Sequence, residues 1–334
     1  MRFGLALPHY DFSLPLGEPV SFRETVKYAK RAEALGFHSV WISDHFFYSF
    51  ARFDEDSGPI GSLEPMTALA GLAMLTDRVR IGSLVLCSSF RHPALLAKMA
   101  ATIDGISGGR LDLGVGAGWF EEEFAAFGYE FGSSASRFAR LEETLRVLEA
   151  LFEGEPATLD AGVRLREARI LPPPVQKPRP PIWLGAKGGG RALRLAARHA
   201  DGWNTVWRWS PGDYAARAAA ARAACLRAGR DPESLRLSVG LYSLIAEDET
   251  GVESLFEEAR SSFPGGAMRN ETLATWMADT LSGTPDQVID RTRAFEALGV
   301  EELIVSPWVQ PFALPKPELL DLFAERVIGP LSAS

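Results

Sequence analysis

Short apolar runs alternate along the chain with stretches in which apolar residues recur every three or four positions. Residues 3–7, closed by Pro8, predict a strand, and residues 22–35, with Val26, Ala29, Ala32 and Leu35 at helical spacing, predict a helix. The unit returns as strand 39–43 with helix 65–75, strand 79–87 with helix 93–106, and strand 110–115 with helices 119–127 and 137–152. It continues as strand 181–185 with helix 191–200, strand 202–206 with helix 213–228, strand 235–246 with helix 285–298, and strand 302–305 with helix 317–328. Eight strands separated by helices predict parallel pairing through right-handed crossovers, since parallel neighbours need a helix-length connection. A closed (β/α)8 TIM barrel is the simplest solution, with an open doubly wound sheet as the alternative.

Two stretches depart from the repeat. Residues 153–181 carry seven of the 22 prolines and two short β-like runs, and read as a hairpin and connector. Residues 250–281 are mostly helical around a Pro264-Gly265-Gly266 break and read as a helical insertion. With both excursions, one barrel domain absorbs all of residues 1–334.

Composition narrows the function. The chain is 46% hydrophobic and 23% charged, ample for a buried core. Thirty-five basic against 43 acidic side chains give a net charge of -8, which disfavours a nucleic-acid backbone binder. Cys87 and Cys225 are too few for a disulfide scaffold or a Cys-rich metal site and suit the reducing cytoplasm. The first apolar run is too short for a signal peptide, and no run approaches a membrane span, so neither export nor a membrane anchor is expected. Five histidines show no metalloprotease spacing, and no metal site is expected.

In a (β/α)8 barrel the chemistry gathers after the carboxyl ends of the strands. The residues there are His9 and Asp11, then Asp44 and His45, then Arg91 and His92, then Trp119 with Glu121, Glu122 and Glu123. Lys187 with Gly188, Gly189 and Gly190 follows the fifth strand, Asn204, Trp207 and Arg208 the sixth, and Ser306 and Trp308 the eighth. Asp44 and His45, adjacent at a strand end, are candidates for proton transfer; the bland alternative for His45 is a structural hydrogen bond. The glycine run between strand and helix is either a phosphate cradle or a plain turn. Trp119, Trp207 and Trp308 either fill the core or wall a flat apolar ligand. The three glutamates read as a solvated helix start. Gly114 to Gly118 depart from the dinucleotide fingerprint and suit tight packing or close cofactor approach at Ala117 and Gly118. Gly105 to Gly109 match the nucleophile-elbow pattern but join a helix to a strand, so a helix C-cap is expected.

Four segments carry a resemblance: Gly36-Phe37-His38-Ser39-Val40-Trp41-Ile42-Ser43-Asp44-His45-Phe46; Arg91-His92-Pro93 through Met99; Ser107-Gly108-Gly109-Arg110 through Trp119; and Pro181 to Gly185 with Ala200-Asp201-Gly202-Trp203-Asn204. With these the chain resembles the luciferase-like monooxygenase superfamily, particularly its F420-dependent oxidoreductases. The resemblance implies hydride transfer between F420 and a small organic substrate, with Asp44 and His45 near the deazaflavin ring and Lys187 and Gly188 to Gly190 at its phosphate. It further implies a bulge with a non-prolyl cis peptide at Leu84–Val85 behind the ring. His45 is the implied proton donor or acceptor. Where the sugar-phosphate dehydrogenases of the family have a catalytic Glu and then an Asn, this chain has Trp119 and Glu122, which argues against their substrate and leaves Trp119 as a catalytic candidate. Lys187, Arg191 and Arg208 are candidates for the acidic F420 tail. The alternatives are an FMN-dependent monooxygenase supplied by a partner reductase, and a flavin-binding protein without turnover. A homodimer is implied by the resemblance alone.

Overall fold

A computed structural model describes residues 1–14, 19–51, 53 and 58–333. The eight principal strands are β1 (Arg2–Ala6), β2 (Ser39–Ile42), β3 (Arg80–Ser83), β4 (Leu111–Gly116), β5 (Ile182–Gly185), β6 (Gly202–Trp207), β7 (Arg236–Tyr242) and β8 (Val300–Ser306). Their order in the sheet is β5-β6-β7-β8-β1-β2-β3-β4, and β4 also pairs with β5, so the strand order closes as a (β/α)8 barrel requires. The chain groups into two compact units, one of Met1–Leu63, Thr205–Ala219 and Leu237–Ser334, the other of Glu64–Asn204 and Ala220–Arg236.

In the first unit β1 lies parallel to β8 and β2, with Gly4 opposite Ile304 on one side and Ser39 on the other, and β7 extends the sheet beyond β8. In the second unit β4 pairs with β3 and β5, Leu111 opposite Ile81 and Leu113 opposite Ile182. Every residue of β4 is buried, as expected of a parallel strand covered on both faces. The carboxylate of Asp112 lies 2.5 Å from the Arg80 guanidinium and 3.1 Å from the Trp183 indole nitrogen, which satisfies a charge inside this sheet.

Local signals set the helices. Helix α1 (Phe22–Ala34) starts where the Ser21 hydroxyl accepts from the Glu24 amide. Helices α2 (Pro65–Leu75) and α3 (Pro93–Ser107) both begin with proline, whose missing N–H is not needed there. Gly108, at φ 65°, ends α3 in the left-handed region, as expected of a C-cap rather than a nucleophile elbow. Helix α4 (Ser134–Phe152) precedes an antiparallel hairpin, Ala157–Ala161 with Val163–Ala168, and α5 (Gly190–His199) follows β5.

Three boundaries differ from the pattern reading. The third strand divides into Arg80–Ser83 and Leu86–Cys87 about a cis peptide at Leu84–Val85. The seventh stops at Tyr242, because the chain turns aside to bond the Leu244 amide to the Ser282 hydroxyl at 2.9 Å and to pair Ile245 with Gly283. The helix after β4 shortens to Glu121–Ala126, and Glu123 is only 2% exposed, so the glutamate run is not wholly solvated. Residues 249–278 form helices Glu249–Ser262 and Leu273–Ala278, with Gly265 at φ 62° between them. Among the described residues no helix is long and apolar enough to cross a membrane.

Candidate functional site

In the first unit the ends of β1 and β2 are tied by a buried polar chain. The His9 Nδ1–H donates to the Leu7 carbonyl at 2.8 Å, which leaves Nε2 as an acceptor. That nitrogen takes the Ser43 amide at 3.2 Å and lies 2.9 Å from the Ser43 hydroxyl, and the Tyr10 hydroxyl bonds the same Ser43 oxygen. Burial pushes the His9 pKa down to about 3, with the nearby His45 adding to the effect and the Leu7 carbonyl opposing it. His9 is therefore a neutral structural residue at physiological pH. Asp11 is also structural, accepting from the Val20 and Gly61 amides at 2.8 and 2.9 Å.

Asp44 and His45 follow Ser43 directly. Asp44 is buried, whereas His45 is half-buried, its carbonyl held by the Ser62 hydroxyl. The His45 ring centroid lies 6.3 Å from Tyr10 and 5.9 Å from Tyr48, perpendicular to the latter. Of the predicted catalytic residues, Asp44 and His45 thus share one strand end in this unit.

The sequence reading did not reveal the extent of the aromatic network around them. Tyr10 stacks on Phe12 at 4.9 Å and approaches Phe312 at 6.0 Å. Phe312, at φ 60°, meets His9 at 4.7 Å and Trp207 at 5.2 Å edge-on. Trp207 stacks on Tyr242, and Tyr242 on Trp276, each pair at 5.3 Å. The signal available in the sequence was a tryptophan after the fourth, sixth and eighth strands, Trp119, Trp207 and Trp308; what could not be read was that residues 249–278 would add Trp276 to the stack.

Arg208 corrects one expectation. Its guanidinium lies 2.5 Å from Asp279 and 3.2 Å from Glu271, and 4.7 Å over the Trp276 ring. Although burial opposes it, the two carboxylates raise the arginine pKa. A cation neutralised by two carboxylates is a poor partner for an acidic tail. Trp308 is buried and fills the core.

In the second unit the predicted cis peptide is present at Leu84–Val85, and a second non-prolyl one, in the first unit, joins Val206 to Trp207. The Val85 side chain occupies a slot made by three glycines: a Cβ would come within 2.9 Å of it from Gly114, 2.8 Å from Gly116 and 2.6 Å from Gly185. Gly114 and Gly116 within β4 therefore serve packing. Gly118, at φ 78°, faces the Cys87 sulfur and the Phe124 ring, and Ala117 beside it is part-exposed. Trp119 is 53% exposed and leans on Phe120 at 5.4 Å. Ser88 and Ser89, after the divided third strand, bury hydroxyls that find no partner among the described residues, which leaves hydrogen-bonding capacity for water or a polar ligand.

In the turn Gly188 to Gly190 the first glycine is buried at φ 80°, and the other two are exposed. Among the described residues a Cβ on Gly189 would meet nothing within 4 Å, and one on Gly190 would meet only Arg194 at 3.7 Å. Gly189 is the N-cap of α5 and has no side chain to accept from the first-turn amides. An uncapped helix start with room above it suits a phosphate. Lys187 is exposed beside the turn, and Arg191 lies 5.9 Å over Phe138.

The family model for luciferase-like monooxygenases matches residues 1–302. An F420-dependent glucose-6-phosphate dehydrogenase of Amycolatopsis mediterranei (strain U-32) is 35% identical over 182 residues, 54% of this chain and 52% of its own length. The chain thus spans about half the length of that relative. A phthiodiolone/phenolphthiodiolone dimycocerosates ketoreductase of Mycobacterium tuberculosis (strain ATCC 25618 / H37Rv) is 28% identical over 327 residues, covering 82% of this chain and 84% of its own. Among solved structures, an F420-dependent secondary alcohol dehydrogenase bound to an F420-acetone adduct matches with TM-score 0.78 and 20% identity, covering 98% of both chains. The EDTA monooxygenase of Chelativorans sp. BNC1 matches with TM-score 0.80 and 17% identity, covering 100% of this chain and 94% of its own. At these identities the structural likeness is one of fold.

Proposed function

Because the chain belongs to the luciferase-like monooxygenase family and is an oxidoreductase of that kind, we propose that it uses F420 to transfer a hydride to or from a small organic substrate. The observation that carries this reading is the 35% identity to an F420-dependent dehydrogenase over half of the chain. The geometry of the chain's own residues fits it. The start of α5, where the N-cap Gly189 offers no side-chain acceptor, suits a phosphate, with Lys187 beside it, and the Ser88 and Ser89 hydroxyls, without a partner among the described residues, leave polar capacity in the same unit.

When bound, the deazaflavin supplies a carbon that carries two electrons as a hydride. The remaining task for the protein is a proton, since oxidising an alcohol to a ketone removes one hydride from carbon and one proton from oxygen. His45 is assigned that proton, in either direction, and Asp44 stands beside it. His9 is excluded, because its Nδ1–H is committed to a carbonyl and its Nε2 to Ser43. In the same reading Leu84, Val85, Ala117 and Gly118 support the ring and Trp119 contacts the substrate.

Titration of purified protein with F420 and with FMN, followed by cofactor fluorescence, tests this. F420 is expected to bind at least tenfold more tightly than FMN, and His45→Ala to keep F420 binding while losing most turnover. Tight FMN binding with none of F420 overturns the cofactor assignment, and full turnover by His45→Ala overturns the proton assignment.

A further inference from the structure

From the aromatic network of the first unit we infer the substrate class: an uncharged alcohol or ketone carrying an extended hydrocarbon chain or ring. The inference rests on the proposed hydride-transfer reading. His45 is linked to Trp207 through two further rings, Tyr10 at 6.3 Å and Phe312 at 6.0 Å from Tyr10. Tyr10 and Phe312 are buried and form a backing layer, whereas His45, Trp207 and Tyr242 are only partly buried and can be touched. The proton-handling residue is thus continuous with an accessible apolar wall.

A phosphorylated or carboxylated substrate would need a cation on this wall. Among the described residues Arg208 is a cation beside it, and Asp279 and Glu271 already neutralise it while its planar face rests on Trp276. The helical segment that supplies Trp276 also supplies both carboxylates. One insertion therefore adds aromatic surface and cancels charge together. Such a wall gains affinity from each methylene it takes out of water, roughly fourfold per group.

The test uses the F420-loaded protein and 2-alkanols from 2-butanol to 2-decanol. kcat/KM is expected to climb by at least 100-fold across the series, while glucose 6-phosphate gives no saturable turnover. Quenching of tryptophan fluorescence by 2-decanone gives a readout that needs no cofactor. Trp207→Ala is expected to weaken 2-decanone binding about tenfold and to flatten the chain-length dependence; if that variant does not fold, Tyr242→Ala reads the same contact. A flat series in the intact protein, or glucose 6-phosphate turned over better than 2-decanol, overturns the inference. Binding of 2-decanone by a protein that fails to take up F420 would sink the cofactor reading and leave the substrate class standing.

Discussion

The strand ends of the two units are built by opposite means. In the first, rings and one ion-paired arginine fill the space: Tyr10, Phe312, Trp207, Tyr242 and Trp276 touch in sequence, and Arg208 closes the stack. In the second, space is kept by leaving side chains out: Gly114, Gly116 and Gly185 admit Val85, and Gly188 to Gly190 leave a helix start bare. The first region should therefore fail when atoms are removed and the second when atoms are added. Rings gain energy from contact area, whereas glycines matter for the approach they permit.

The largest effect is expected from adding one carbon at Gly114. A Cβ there would sit 2.0 Å from the Ser83 carbonyl oxygen, a backbone atom that cannot swing away, as well as against Val85. Ser83 also bridges Gly114, donating to its carbonyl and accepting from its amide at 2.9 Å each, so the two strands cannot part without losing both bonds. Gly114→Ala is expected to destabilise by about 4 kcal/mol or to prevent folding. Soluble yield and the urea midpoint measure this, and a midpoint near that of the parent would show that the two strands separate easily.

The complementary subtraction is Phe312→Ala, expected to cost about 3 kcal/mol through lost contact with His9, Tyr10 and Trp207. Its backbone sharpens the comparison. At φ 60° any residue with a Cβ is strained, so Phe312→Gly should be about 1 kcal/mol more stable than Phe312→Ala, although it removes more atoms. Equal midpoints for the two variants would show that the loop relaxes once the ring is gone.

Next in size is a pH effect confined to the first unit. The folded His9 has a pKa near 3, against about 6.5 when unfolded. Above pH 6.5 it is neutral in both states and contributes no pH dependence. As pH falls below 6.5 the unfolded chain binds a proton that the folded chain refuses, so stability drops by about 1.4 kcal/mol per unit until pH approaches 3. Between pH 7 and pH 5 this amounts to about 2 kcal/mol. His9→Gln is expected to be less stable at pH 7, having lost the Ser43 and Leu7 bonds, yet to show a pH 7 to 5 decline smaller by that amount. Denaturation midpoints at the two pH values give the result; identical declines would mean that water reaches the imidazole.

How far these differences were legible in the sequence follows from their range along the chain. The strand ends carrying Asp44, His45 and Gly188 to Gly190 could be read directly, because periodicity locates strands and the residues after them are then known. The open state of the glycine turn could not, since it depends on which atoms stay away. Arg208 reads in the sequence as a candidate for the acidic tail because its carboxylate partners lie 63 and 71 residues further on, in a segment recognisable only as helical. Glu123 was misread as solvated because a charge run gives no sign of which member turns inward. The Ser43 role of His9 was equally hidden, as it joins residues 34 apart on neighbouring strands.

The smallest effects on stability belong to the glycine turn, where stability and binding should separate. Gly188→Ala places a Cβ at φ 80° and is expected to cost about 1 kcal/mol. Gly189→Ala meets no atom of the described residues within 4 Å, and its residue has φ -66° and ψ 148°, which any side chain adopts, so stability should hold within about 0.5 kcal/mol. If the bare helix start receives the cofactor phosphate, the same harmless methyl group intrudes on the ligand. Gly189→Ala should then weaken F420 binding about tenfold in a fluorescence titration while leaving the urea midpoint unchanged. A deazaflavin lacking the phosphate should bind parent and variant alike, because it has nothing to place against those amides. Equal F420 affinity in parent and variant would move the phosphate away from α5 and leave Gly188 to Gly190 as a turn required only by the backbone.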